Sequence, residues 1–218
     1  MAYLHAPRWK AFVYSLPFPF TVAVFTAGGR IEDANILGLL VLLVYIHTVR
    51  ILHHRFGWPI ILSIIAAALT YCLLGAGLFR ILPRTDFSFW TSAGLTLAIA
   101  ATVLKIHPHR EEPGHRTELP LHRKLPLILL VVACLISLKN NLGGFMTTFP
   151  MVGILGAYES RHSLWTMSRQ FPRMILSMTV LMCLARSLAP DYGLPLGLAA
   201  GWIVCLPLLV WISFRSAR

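Results

Sequence analysis

Apolar residues in this chain do not alternate with polar ones at the period of a strand or an amphipathic helix. They come in long stretches, one after another, separated by short polar punctuation. A helix of about 18–25 apolar residues crosses a hydrocarbon core about 30 Å thick. Eight stretches read as such spans: Ala11 to Gly28, Ala34 to Leu52, Trp58 to Leu78, Phe87 to Leu104, Leu125 to Leu138, Leu142 to Tyr158, Arg173 to Leu188 and Tyr192 to Ile212. Spans of about 20 residues each leave little of the 218-residue chain for a folded domain outside the bilayer. The expected fold class is an all-α membrane protein with eight transmembrane helices.

Composition agrees: 57% of residues are hydrophobic and 12% charged, against about 25% charged in a soluble domain. A net charge of +11 would suggest nucleic acid in a soluble protein, but here it is read against topology. An N-terminus in the cytoplasm puts Arg8, Lys10, Arg50, Arg55, Lys105, Arg110, Arg116, Arg123, Lys124, Arg161, Arg169, Arg173, Arg215 and Arg218 inside, and only Arg30, Arg80, Arg84, Lys139 and Arg186 outside. The orientation is therefore N-in and C-in, with Trp9, Trp58, Trp90, Trp165 and Trp211 at interfaces, where an amphipathic indole is best accommodated. The expected partners of the basic excess are anionic lipid headgroups at the cytoplasmic face, not nucleic acid. The first stretch carries Pro17 and Pro19 and reads as a span rather than a cleaved leader. Cys72, Cys134, Cys183 and Cys205 all fall inside spans, as packing residues rather than a disulfide or zinc set.

The chain also repeats itself. Gly94-Leu-Thr-Leu-Ala-Ile-Ala-Ala101 answers Gly193-Leu-Pro-Leu-Gly-Leu-Ala-Ala200, and Trp58-Pro59 with the following Ile-Ile-Leu-Ser answers Phe171-Pro172 with Met-Ile-Leu-Ser at 174–177. Tyr45 and Tyr158 stand at equal distances before the two prolines. This predicts two four-helix repeats, residues 1–106 and 125–218, joined by a polar cytoplasmic linker at 107–124. Four is even, so the repeats enter the membrane in the same direction and are parallel.

Leu138-Lys139-Asn140-Asn141, Gly143-Gly144, Phe149-Pro150, Ala157-Tyr158 and the glycine-rich stretch from Gly193 carry a resemblance. Over residues 129–212 the chain resembles the small four-span GlpM-type inner-membrane proteins, which are associated with efficient alginate production in bacteria. The resemblance implies a multi-pass protein of the bacterial inner membrane with a role in envelope biology. A double-length chain departs from that family, and the first half has no Phe-Pro in its corresponding second span.

Ionisable groups at membrane depth are expensive and by default functional. None of the eight acids lies near a span centre, which disfavours a carboxylate-based proton-coupled exporter. His47 is the one histidine inside a span, in Tyr45-Ile-His47-Thr-Val-Arg50. It reads either as a substrate ligand with Arg50 or, by preference, as a histidine bonded to a neighbouring helix while Arg50 snorkels to the headgroups. The stretch Leu142 to Tyr158 is weakened by Gly143, Gly144, Pro150, Gly153 and Gly156; Pro150 frees a carbonyl that Thr147 and Thr148 can help satisfy. A helix broken at membrane depth points to a binding site or to a kink needed for packing. Candidate substrate-binding residues are therefore Asn140, Asn141, Thr148, Tyr158, Glu159, Arg161, His162 and Arg169, with Tyr45, His47 and Arg50 from the first half. The basic clusters around Arg50 and Arg169 either converge on an anionic headgroup or phosphate, or are plain positive-inside charge. Gly193, Gly197 and Gly201 form a small-xxx-small face for close helix packing.

No catalytic residue, metal site or cofactor is expected. Glu111-Glu112-Pro-Gly-His-Arg116 matches the glutamate and arginine spacing of membrane CAAX-type proteases, but Pro113 and Gly114 force a turn where a helix is needed. The linker histidines His107, His109, His115 and His122 are irregularly spaced for a metal set. Two functions from different classes remain. One is a transporter or flippase-like carrier of a small anionic or lipid-phosphate substrate, with its site between the repeats. The other is a non-catalytic accessory subunit of an envelope polysaccharide complex, which predicts a co-purifying partner; a homodimer or an envelope-complex partner is the expected assembly of the chain. The carrier ranks slightly ahead, because carriers use broken helices and repeats.

Overall fold

A computed structural model describes residues 7–26, 30–108, 112 and 143–215. The expected span Leu125 to Leu138, most of the linker, and Asn140 and Asn141 lie outside the described residues. All regular structure among the described residues is helical: α1 (Pro7–Tyr14), α2 (Phe18–Thr26), α3 (Asp33–His54), α4 (Ile60–Ile81), α5 (Asp86–Ile106), a 3₁₀ helix (Gly143–Thr148), α6 (Met151–Glu159), α7 (Leu164–Tyr192) and α8 (Leu194–Arg215). Five of these, α3, α4, α5, α7 and α8, are long and apolar enough to cross a membrane, at 21 to 29 residues each. The chain is thus a multi-pass helical membrane protein. Long helices are what a bilayer demands, because every backbone polar group at depth must be satisfied within its own segment.

Three expected spans take a different form; one of them, Leu142 to Tyr158, is divided at Pro150 into the 3₁₀ helix and α6. Ala11 to Gly28 is two short helices rather than one. Pro17 and Pro19 remove two N–H donors, and the ring of Pro17 would strike the carbonyl one turn earlier. The chain adapts at Ser15, whose hydroxyl donates to Phe12 O at 2.6 Å. Trp9 and Phe12 pack on Phe214 with ring centroids 5.0 and 5.6 Å apart, so α1 lies at the end of the bundle where α8 finishes. The helix expected at Arg173 to Leu188 begins nine residues earlier, at Leu164, because Pro172 is accommodated inside α7 instead of starting it. Arg173 is thereby drawn in to 6% exposure, with its Nη1 donating to Gln170 Oε1.

Helix α3 is the centre of the packing: α4, α5, α7, α6 and the 3₁₀ helix all lie against it. Its opening turn is polar and buried. Ser88 of α5 donates to the Asp33 carboxylate at 2.6 Å, and the Asn35 amide donates to Gly144 O and Thr147 Oγ1 of the 3₁₀ segment. Helices α7 and α8 run together along their length. A Cβ on Gly197 would stand 2.7 Å from Ala185 O, and one on Gly201 2.9 Å from Leu181 O, so these glycines bring the two backbones into contact within the fold. Gly193 does not share that face; with φ of +80° it ends α7 and turns the chain into α8. Helices α4 and α5, which the repeat would match to α7 and α8, pack on α3 and not along each other.

Candidate functional site

The α1–α2 junction at Leu16-Pro17 and the junction between the 3₁₀ helix and α6 at Phe149-Pro150 line one cavity of about 50 Å³. Leu42 of α3 and Met178 of α7 also border it, and both lie near the middle of their helices. The break expected at Pro150 is therefore present and is matched by a second one beside it. Irregular backbone inside a membrane bundle is tolerated where protein buries it or where it lines a cavity. At each break a helix starts afresh, α2 at Phe18 and α6 at Met151. The first N–H groups of a helix have no intrahelical partner and carry the positive end of its dipole. Broken helices that bring such ends together at mid-depth are how carriers meet a charged substrate.

The 3₁₀ segment is clamped rather than loose. The hydroxyl of Tyr71 in α4 donates to Phe145 O at 2.8 Å and shares a hydrogen bond with Thr148 Oγ1 at 2.9 Å. Gly38 of α3 permits this approach, since a Cβ there would lie 2.0 Å from Thr148 Oγ1. In this conformation a cavity of about 50 Å³ has room for water but not for a larger solute. Anything larger needs α6 and α2 to part.

A second cluster gathers where α3 ends, α5 ends and α7 begins. The His47 and His107 rings lie 5.0 Å apart, and His107 lies 4.9 Å from Trp165. The Arg50 guanidinium sits 4.6 Å from the Trp165 ring centroid and donates to Ser168 Oγ at 3.4 Å. It also faces His107 Nδ1 at 3.5 Å. A guanidinium can only donate, so this contact assigns the His107 proton to Nε2. Arg169 Nε donates to His107 O at 3.1 Å. Burial, and then the neighbouring Arg50 and Arg169, hold His107 below its ordinary pKa, which favours the neutral imidazole. Glu112 stands at the start of α7, accepting from Trp165 N at 3.1 Å and Thr166 N at 2.6 Å. Two guanidinium groups beside a neutral imidazole are the kind of donor set that recognises a tetrahedral oxyanion or phosphate.

The residues expected from sequence divide into separate places. His47, Arg50 and Arg169 come together, with the Arg50 guanidinium turned towards Trp165 and Ser168 of α7. Thr148 lies at the central cavity. Glu159 accepts from Tyr14 OH at 2.6 Å, and Arg161 stacks 5.3 Å from the Tyr158 centroid, so these three hold the far end of α6. His162 is exposed in the turn before α7. Tyr45 is fully buried, and its hydroxyl has no hydrogen-bond partner among the described residues. Sequence reasoning missed His107, Trp165 and Ser168 at the basic end, and Asn35 and Tyr71 behind the 3₁₀ segment. It also missed Gln170, whose amide donates to Ser15 Oγ at 3.2 Å and Ser213 Oγ at 2.8 Å, tying the α1–α2 break to α7 and α8. Among the described residues no three histidine, cysteine or carboxylate side chains gather as a metal site would need. Comparison with protein families, curated proteins and solved structures gives no match.

Proposed function

We propose that this chain is an integral membrane carrier of a small anionic or phosphate-bearing substrate. The observation that supports it is the pair of adjacent helix breaks sharing one mid-depth cavity. In this reading the basic cluster at Arg50, His107 and Arg169 collects the anion, and the restarting ends of α2 and α6 receive it when the breaks separate. Residues 7–26 and 143–159 then count as two discontinuous crossings. With the five long helices and the stretch Leu125 to Leu138 they make eight, N-in and C-in, so the basic cluster faces the cytoplasm. The site lies between the two broken segments, whatever the history of the sequence repeat. The resemblance to GlpM-type proteins favours the bacterial inner membrane.

Native mass spectrometry of the protein gently extracted from its own membrane tests this. A monomer or homodimer that retains one defined anion or anionic lipid, lost in the Arg50→Gln/Arg169→Gln variant, supports the carrier. A stoichiometric protein partner with no such ligand supports an accessory subunit of an envelope complex and retires the carrier.

A further inference from the structure

Opposite the basic cluster, where α4 ends, α5 starts and α7 ends, lies an open pocket of about 870 Å³. Arg30, Arg84 and Arg186 line it, and Asp86 is the one carboxylate among the described lining residues. With the orientation read from charge, the positive-inside bias leaves five lysines and arginines on this side of the membrane. Three of those five converge on one pocket, where plain topology would scatter them.

Two of the arginines are held in place. Arg186 stacks 4.4 Å from the Phe89 centroid, pairs with Asp86 and donates to Ile31 O. Arg84 stacks 4.1 Å from the Phe79 centroid. Its backbone sits at φ +53°, a left-handed conformation that a side-chain-bearing residue adopts only against resistance. A glycine would fit that turn without strain, yet an arginine stands there. Stacking engages the face of the Arg84 guanidinium and leaves its N–H edge for an oxyanion, while Arg186, whose donors go to Asp86 and Ile31 O, adds its charge to the pocket wall. Asp86 offsets one of the three charges, so the described lining keeps a positive excess. Trp90, half exposed on the rim, has the amphipathic character suited to headgroup depth.

We propose that this pocket binds phosphate, presented by the headgroup of an anionic phospholipid or as the free ion. It is a site separate from the central cavity and does not depend on the carrier reading. The test measures binding of two probes, short-chain phosphatidylglycerol and inorganic phosphate, to the purified full-length protein. The Arg50→Gln/Arg169→Gln background is used throughout, so that the basic cluster at the other end is silent. At least one probe is expected to bind saturably, and Arg30→Gln/Arg84→Gln should weaken it tenfold or more. Saturable phosphatidylglycerol binding that inorganic phosphate does not displace would assign a lipid. Equal dependence of phosphate alone on these arginines would assign the free ion. Arg84→Gly removes the charge while relaxing the backbone; it should melt no lower than its parent and still bind more weakly. Binding unchanged in either variant, or no saturable binding of either probe to a folded protein, would overturn the proposal.

Discussion

The seating of the broken segment on α3 makes a sharp energetic prediction at Gly38. A methyl group there would lie 2.0 Å from Thr148 Oγ1, 3.1 Å from Thr148 Cβ and 3.4 Å from Tyr71 OH. Thr148 is 5% exposed and Tyr71 fully buried, so neither has water to retreat into. Overpacking of this kind costs about 1–3 kcal/mol. Forcing the Thr148 hydroxyl away from Tyr71 costs about 1–3 kcal/mol more. Alanine recovers about 0.5–1 kcal/mol over glycine inside a helix. Gly38→Ala should therefore destabilise the protein by roughly 3 kcal/mol, the centre of those ranges. Thr148→Ala alone should cost about 1 kcal/mol, because Tyr71 keeps its bond to Phe145 O. In the Thr148→Ala background the clashing oxygen is gone, so adding Gly38→Ala should cost at most about 1 kcal/mol, a coupling near 2 kcal/mol. The assay is reversible unfolding in mixed micelles titrated with dodecyl sulfate and followed by circular dichroism. Additive effects, with coupling under about 0.5 kcal/mol, would show that the 3₁₀ helix does not sit against Gly38.

Three further outcomes are expected. Glu112→Ala removes the acceptor for Trp165 N and Thr166 N; a melting experiment should show a loss of about 1 kcal/mol, as for a helix cap, and no change would detach Glu112 from α7. His107 is held below its ordinary 6.5, so the folded state binds fewer protons than the unfolded one and stability should fall as pH drops through that value. His107→Asn should lessen that fall in melting temperature between pH 8 and 5, and an unaltered slope would deny the burial of His107 together with its contacts with Arg50 and Arg169. Gly197→Val should loosen the α7–α8 pair, since even a Cβ meets Ala185 O at 2.7 Å; wild-type melting would contradict the close approach.

Four of the long helices were legible in the sequence to within three residues at each end, since a bilayer sets both their length and their apolarity. The start of α7 was not, because a proline usually opens a helix and Arg173 looked like a headgroup anchor. Only its contact with Gln170 shows why the arginine lies inside. Pro17 and Pro19 did announce the first break, but stretch length outweighed them. The break at Pro150 was read correctly from its glycines and threonines, whereas its clamps, Asn35 and Tyr71, resemble any span residue until the 3₁₀ helix docks on them. The meeting of Arg50 with Arg169 was anticipated as one reading. The residue that joins them, His107, was hidden at the edge of a linker read as solvated. The repeated octapeptides fall on α5 and α8, which are used differently: a Cβ on Gly94 would meet open space, while Gly197 and Gly201 press on α7. Shared sequence therefore did not dictate shared packing.

The central claim is that the paired breaks open to let a substrate through, and thiol accessibility tests it most directly. Val152 lines the cavity between the breaks. Native cysteines would be replaced, a single cysteine placed at Val152, and a membrane-impermeant thiosulfonate applied separately to each face of oriented vesicles. The carrier account predicts labelling from the cytoplasmic face and, in a second population, from the opposite face, with labelling from the cytoplasmic face altered when Arg50 and Arg169 are neutralised. A cysteine that stays inert from both sides, in a protein shown to be folded, would mean that the breaks are sealed packing and that no substrate passes between them.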